Sequence, residues 1–299
     1  MNAPTTAFAI RRILVALDAS PHSLAALDMA VDLAAKMEAE LAGLFVEDVE
    51  LLRMAESPSA REIAYTTASE IPLNRSIMER KLRAQSEQIR NAVAAAAQRA
   101  QVRWSFQTVR GQVTSALRAA AAEDDIVAVG RLGWSFGRPL RIGSTALELA
   151  TSSVPLLLIS QRAVLGNLRP LVYYDGSAGS KNALFVAAKL ASGGAKGITV
   201  LVSTADHAKK LEEIRNLLGA QPLDLRCRGI DPDQKSSLLC AMREEGAVLL
   251  VLASRQLLKV PDTLEALLRE IEVPLLLLGD GFGREDTQTS PPEVGRAAQ

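Results

Sequence analysis

Two stretches of this chain, 157 residues apart, carry the same signature: an apolar run that ends in D-x-S-x-x-S. The first is Ile13-Leu-Val-Ala-Leu-Asp18-Ala-Ser20-Pro-His-Ser23 and the second is Leu171-Val-Tyr-Tyr-Asp175-Gly-Ser177-Ala-Gly-Ser180. At the same offset Ala26 matches Ala183, Leu27 matches Leu184, Ala30 matches Ala187 and Leu33 matches Leu190, spacings that line one face of a helix. Further on, Val154-Pro155-Leu-Leu-Leu-Ile159 is echoed by Val273-Pro274-Leu-Leu-Leu-Leu278 at an offset of 119, so the second copy is 38 residues shorter. The repeating unit is a whole domain, and 299 residues suit two of them.

Within the first copy the pattern predicts strands over Ile13–Leu17, Leu41–Val46, Arg103–Val109, Ile126–Val129 and Leu156–Ile159. Helices are predicted between them over Ser20–Met37, Ser76–Ala100, Val113–Glu123 and Ser144–Ser152. Short, nearly all-apolar strands that alternate with helices are buried on both faces, which implies a parallel sheet with right-handed crossovers. The expected fold class is α/β: two tandem open-twisted five-stranded parallel-sheet sandwiches, Rossmann-like, over residues 8–160 and 169–280. Residues 281–299, rich in Pro, Gly, Thr and charge, are expected to form a disordered tail. The stretch from Asp48 to Arg75 has no sustained period and reads as an excursion over the first sheet.

Charge narrows the partners. Lys plus Arg and Asp plus Glu number 34 each, and a cut at Ser160 leaves 17 of each sign in both parts. Neither copy has the cationic surplus on which phosphate-backbone binding rests, so nucleic acid is not an expected partner. Apolar runs such as Val154–Ile159 and Ala247–Ser254 are strand-sized, far below the ~20 residues that cross a bilayer. The basic pair Arg11-Arg12 follows a short mixed segment, the reverse of a secretory signal, and the reading is of a cytoplasmic protein with no membrane partner. Cys227 and Cys240 have no metal-ligand or redox spacing and read as reduced thiols; of the two histidines, His22 reads as a surface or cap residue in a first helical turn and His207 opens a helix in the second copy.

In the open sheets expected here, ligands sit beyond the carboxyl ends of strands where the winding direction switches, which directs attention to Asp18, Val46, Gly111 and Gly130. After the fourth strand the chain runs Gly130-Arg-Leu-Gly133-Trp-Ser-Phe-Gly137-Arg-Pro-Leu-Arg-Ile-Gly143-Ser144-Thr145, which is G-x2-G-x9-G-S-T directly before a predicted helix. Glycines let main-chain N–H groups approach an anion, and a helix N-terminus adds unpaired donors with ~0.5 e of positive charge. Arg131, Arg138 and Arg141 lie in this stretch, and no acid occurs between Asp125 and Glu148. Together these residues read as a phosphate cradle.

With these elements in place, the sequence resembles the universal stress protein family, specifically its tandem members and their ATP-binding branch, over about residues 8–280. The resemblance rests on Asp18, the glycine element at Gly130, Gly133, Gly143 and Ser144, the Gly111 turn, and the Val154-Pro155 entry to the last strand. It implies an adenine nucleotide alpha hydrolase-like fold and an adenine nucleotide as ligand: ATP, with Mg or without, the alternatives being AMP or another adenine nucleotide. It further implies that Asp18 and Val46 flank adenine and ribose, Gly130 and Gly133 line ribose and phosphates, and Gly143, Ser144 and Thr145 hold phosphate. Ala16, Gly111, Arg131 and Arg141 complete the expected binding set. The family's last strands join two domains, so an intramolecular pseudo-dimer is expected, along with a homodimer through last-strand edges. Arg131-Leu132 departs from the small polar residues or His of many relatives.

The second copy has lost the cradle. Aligned strands put Ala253 at Gly130 and Gln256 at Gly133, while Asp262 and Thr263 fall at Gly143 and Ser144, and Pro261 removes a backbone donor. This copy is expected not to bind ATP. Ser192-Gly193-Gly194 follows a helix and reads as its terminating turn. Hydrolysis needs a base that positions water and a carboxylate-held metal, and only the cation for the γ-phosphate has candidates here. Glu148 is expected to face solvent, and Asp124 and Asp125 to solvate a helix end. The function expected is a non-catalytic, ligand-sensing stress-response module. A slow ATPase or adenylyl-transfer enzyme and a nucleotide-free interaction scaffold are the alternatives.

Overall fold

A computed structural model describes residues 10–57, 59, 61–64, 69–72, 74–122, 124–130, 144–150, 152, 154–159, 169–192, 197–219, 223–231, 234–258, 268, 270–271 and 273–279. The first half comprises β1 (Arg12–Leu17), α1 (Pro21–Met37), β2 (Glu40–Asp48), α2 (Val49–Ala55), β3 (Arg61–Ala64) and β4 (Ser69–Pro72). It continues with α3 (Arg75–Ala100), β5 (Trp104–Gly111), α4 (Val113–Ala120), β6 (Asp125–Gly130), α5 (Ser144–Ala150) and β7 (Leu156–Ile159). The second half comprises β8 (Pro170–Tyr173), α6 (Ala178–Ser192), β9 (Ile198–Ser203), a 3-10 turn (Thr204–Asp206) and α7 (His207–Leu218). Then follow β10 (Leu225–Ile230), α8 (Lys235–Glu244), β11 (Leu249–Ala253), α9 (Ser254–Leu258) and β12 (Leu275–Leu278).

Among the described residues ten of these strands form one sheet in the order β10-β9-β8-β11-β12-β7-β6-β1-β2-β5. Each half contributes five parallel neighbours with its first strand central, and the halves meet where β12 runs antiparallel to β7. The seam pairs Leu275 with Leu158, Leu276 with Leu157 and Leu277 with Leu156. All six leucines are buried, because a four-residue apolar run needs cover on both faces and a partner on both edges. This is the expected intramolecular pseudo-dimer. Each last strand is flanked on both sides within the chain, and among the described residues the sheet's outer strands are β5 and β10.

Two apolar layers sandwich the sheet, and each is continuous across the seam. One joins α1 and α3 to α6 and α7 through residues such as Leu27, Val93, Leu184 and Ile214; the other joins α4 and α5 to α8 through Leu117, Leu149 and Met242. The two cysteines are free, Cys227 half-buried and Cys240 exposed.

The D-x-S-x-x-S signature proves to be a capped turn, made alike in both halves. Asp18 Oδ1 accepts from Ser20 N (2.9 Å), Ser20 Oγ accepts from Ser23 N (3.1 Å), and Ser23 Oγ donates to the Ser20 carbonyl (3.0 Å). Asp175, Ser177 and Ser180 repeat the pattern at 2.9, 3.2 and 2.9 Å. The helix cap is therefore Ser20, with Pro21 preset at the first helical position, while Asp18 braces the turn before it. That turn needs a left-handed residue, Ala19 (φ 62°) in the first half and Gly176 (φ 87°) at the matching offset in the second. An L side chain there costs ~1–2 kcal/mol. Ala19→Gly is therefore expected to raise unfolding free energy by about 1 kcal/mol, read as a higher urea midpoint at unchanged slope.

Two sequence expectations need correction. The excursion after β2 contains elements: α2, capped by Asp48 through Glu50 N at 2.9 Å, and the antiparallel hairpin of β3 and β4. A seven-residue helix and four-residue strands are too short to display a period. The crossover from β2 to β5 spans 49–103 against 204–224 for β9 to β10, which is where most of the length difference lies. Asp125, expected to solvate a helix end, does accept from Ala122 N just past α4 at 2.7 Å, but it is 3% exposed and is also bound by Arg12 Nε at 3.1 Å. Arg12 also donates to the Ala120 carbonyl at 2.8 Å, so this pair ties the amino ends of β1 and β6 to the end of α4. The tail 281–299 lies outside the described residues.

Candidate functional site

In the first half the chain steps from β1 to β2 and β5 on one side, then returns to β6 and β7 on the other, so the winding switches between β1 and β6. A crevice at their carboxyl ends is where such sheets take ligands. Four adjacent strands deliver sequence-predicted residues to this end: Gly130 closes β6, Ala16 and Asp18 lie at the end of β1, Val46 near the end of β2 and Gly111 at the end of β5. Ala16 and Val46 are half-buried and pack with Val109 and Val113 on the α4 side of the sheet, giving an apolar floor. Asp18 is exposed above it. Gly111 pairs with Asp48 and lies three strands from β6, apart from the other residues.

The floor is flanked by ionic contacts that sequence reasoning did not find. Arg110 donates through Nε to Glu47 (2.8 Å) and approaches Glu79 of α3 at 3.4 Å, bridging β2, β5 and the long helix. Glu148 is exposed, as expected, and accepts from Thr114 Oγ1 at 2.7 Å. Ser144 opens α5 and Thr145 is half-buried beside it. Arg131, Gly133, Arg141 and Gly143 lie outside the described residues.

Gly130 has a structural necessity of its own. A Cβ added there would stand 2.9 Å from the carbonyl carbon and Cβ of His22 and 3.0 Å from its carbonyl oxygen. The first turn of α1 thus lies directly against the last residue of β6, and only glycine admits that approach. His22 Nδ1 is shielded from solvent and has no hydrogen-bond partner, the one such side-chain atom among the described residues. Leaving a buried polar atom unsatisfied costs about 1–3 kcal/mol.

The second half handles the equivalent place differently. There the switch lies between β8 and β11, and one side chain, Gln256, spans it. Its Oε1 accepts from Ala253 N at 3.1 Å and its Nε2 donates to the Tyr173 carbonyl at 3.4 Å. Burial pushes the Asp175 carboxyl up, but donation from Ser177, Gln256 and Ser180 outweighs it and holds the group below the usual carboxylate range. Gln256 is the residue that sequence alignment placed at Gly133; its bridging role was not foreseen, since the bond to Tyr173 joins residues 83 apart. Leu17 is replaced by the fully buried Tyr174, whose hydroxyl donates to Glu213 at 2.7 Å and whose ring carries Lys210 5.5 Å from its centre.

No helix among the described residues is long and apolar enough to cross a membrane. Comparison with known proteins agrees with this architecture. Among solved structures, a universal stress protein from Archaeoglobus fulgidus DSM 4304 is similar over 90% of this chain and 98% of its own, with TM-score 0.67 and 17% identity. Universal stress protein UspA from Lactobacillus plantarum is similar over 51% of this chain and 97% of its own (TM-score 0.37, 19% identity). A protein from the universal stress protein family from Burkholderia pseudomallei is similar over 52% and 98% (TM-score 0.36, 24% identity). No curated protein matches the chain in sequence. The model of the Universal stress protein family matches residues 9–160, half of the chain. The chain belongs to the universal stress protein family.

Proposed function

We propose that the domain at residues 8–160 binds ATP, with Mg, as a non-catalytic ligand-sensing module of the cytoplasmic stress response, and that the domain at 169–280 is its degenerate, nucleotide-free partner. The reading is carried by one contrast: Gln256 bridges the strand ends at the second switch point, whereas at the first the corresponding strand end is Gly130, set against His22. The residues fit a nucleotide. Half-buried Ala16 and Val46 suit a base, exposed Asp18 suits ribose hydroxyls, and buried, unpartnered His22 Nδ1 is a polar atom awaiting one. Gly130, Gly133, Gly143, Ser144 and Thr145 would hold the phosphates, with Arg131 and Arg141 offsetting their charge and Gly111 closing the far side. Bound ATP supplies binding free energy to the folded state, and no reaction step is assigned to it. The acids near this stretch are otherwise engaged, Asp125 with Arg12 at the opposite end of the sheet and Glu148 with Thr114.

Occupancy stabilises only the folded state. At a ligand concentration a thousandfold above Kd the gain is ~4 kcal/mol. Thermal unfolding with and without Mg-ATP is expected to show a higher midpoint with nucleotide, and an unchanged midpoint at millimolar ATP overturns the proposal.

A further inference from the structure

We propose that His22 contacts the phosphate chain in the first-half crevice, donating from Nδ1 to a phosphate oxygen. The inference rests on the nucleotide reading above and adds to it a residue and a ligand group. His22 stands in the first turn of α1 at the carboxyl end of β1, with its main chain and Cβ against Gly130. Gly130 is the last residue before the glycine-rich stretch, where three arginines and no acid occur between Asp125 and Glu148. A ligand group drawn to that stretch is anionic, and His22 stands beside the residue that leads into it.

Three observations converge on this side chain. Its Nδ1 is buried yet makes no hydrogen bond among the described residues, so its partner comes from outside the chain, as water or as a ligand group. At the 157-residue offset its counterpart is Gly179, a buried glycine and the second residue of α6, so the imidazole is absent from the half whose crevice Gln256 bridges. The close approach of α1 to β6 also fixes where the ring begins, because the His22 Cβ cannot move away from Gly130 without shifting a helix capped by Ser20. An imidazole donates from Nδ1 as one neutral tautomer or as the cation, and a phosphate oxygen accepts either.

The test uses the full chain as wild type, His22→Ala and His22→Asn, the last because its amide nitrogen falls close to the place of Nδ1. Calorimetric titrations with ATP, adenosine and inorganic tripolyphosphate are compared with ligand-free melting midpoints. His22→Ala is expected to weaken ATP and tripolyphosphate at least tenfold, to leave adenosine within twofold, and not to lower the ligand-free midpoint. His22→Asn is expected to recover most of the loss, and the wild-type Nδ1 nitrogen resonance to move on adding ATP.

Unchanged ATP affinity in His22→Ala, or an equal loss for adenosine, overturns the phosphate contact and leaves the nucleotide reading standing. A ligand-free midpoint that falls together with the affinity, or a stationary Nδ1 resonance, assigns His22 to packing and overturns it as well. If wild type takes up tripolyphosphate through His22 but not ATP, the nucleotide reading fails while the contact stands; if it takes up neither, both fail.

Discussion

Gly130→Val is expected to abolish the rise in melting midpoint produced by Mg-ATP and to lower ligand-free stability by about 3 kcal/mol. The added Cβ meets the carbonyl carbon, Cβ and carbonyl oxygen of His22 at 2.9 to 3.0 Å. Two of those three atoms are main chain, in the first turn of a 17-residue helix that buries Ala26, Leu27, Ala30, Val31 and Leu33. A flexible side-chain tip could swing aside, but this backbone can move only by shifting the whole helix or by splaying the end of β6. Overpacking of this kind costs ~1–3 kcal/mol, and a β-branched side chain falls at the upper end. Either response displaces the start of the glycine-rich stretch, so the ~4 kcal/mol that saturating ATP would add is lost with it. Urea titration reads the first quantity and the nucleotide-dependent melt the second. A variant that retains the full ATP shift would place the nucleotide away from the end of β6.

The architecture was readable because both-face burial writes itself into a chain as short, nearly all-apolar runs. Leu156–Ile159 and Leu275–Leu278 were bounded to the residue, and the other predicted strands and helices differ from the observed ones by a few positions at their ends. What escaped was structure whose cause is not local. Asp125 was expected only to solvate a helix end, and its burial depends on Arg12, 113 residues away. The helix and hairpin after β2 were too short to show periodicity. The strand-end rule and the family resemblance pointed to ligand contact at Asp18, yet both halves make the same capped turn, so the D-x-S-x-x-S motif by itself says nothing about nucleotide. The difference between the halves lies in Gly130 with His22 against Ala253 with Gln256. The offset of 157 did set His22 opposite Gly179, a mismatch whose meaning appears only once α1 is seen against β6.

Leu276→Asp is expected to cost more than 4 kcal/mol and to split unfolding into two steps. Leu276 is 1% exposed and faces Leu157 across the seam, in an apolar layer that also holds residues of both halves. Truncation of a buried leucine to alanine costs about 2–5 kcal/mol, and a carboxylate adds the penalty of a charge buried with no cation in register on β7. The protein has one way to relieve it, which is to part β12 from β7. Parting exposes the backbone edges of both strands and opens both apolar layers at once, since each runs through the joint. The coupling between halves would then vanish, and each would unfold at its own denaturant concentration. Wild type is expected to unfold in one transition by circular dichroism in urea, with Leu276→Ala intermediate in stability and still cooperative. If Leu276→Asp instead unfolds in a single step within 1 kcal/mol of wild type, the ten-stranded sheet is not what holds the two halves together. An ATP-induced shift confined to the first of two steps would in turn identify the half that binds, because only the occupied half gains free energy from the ligand.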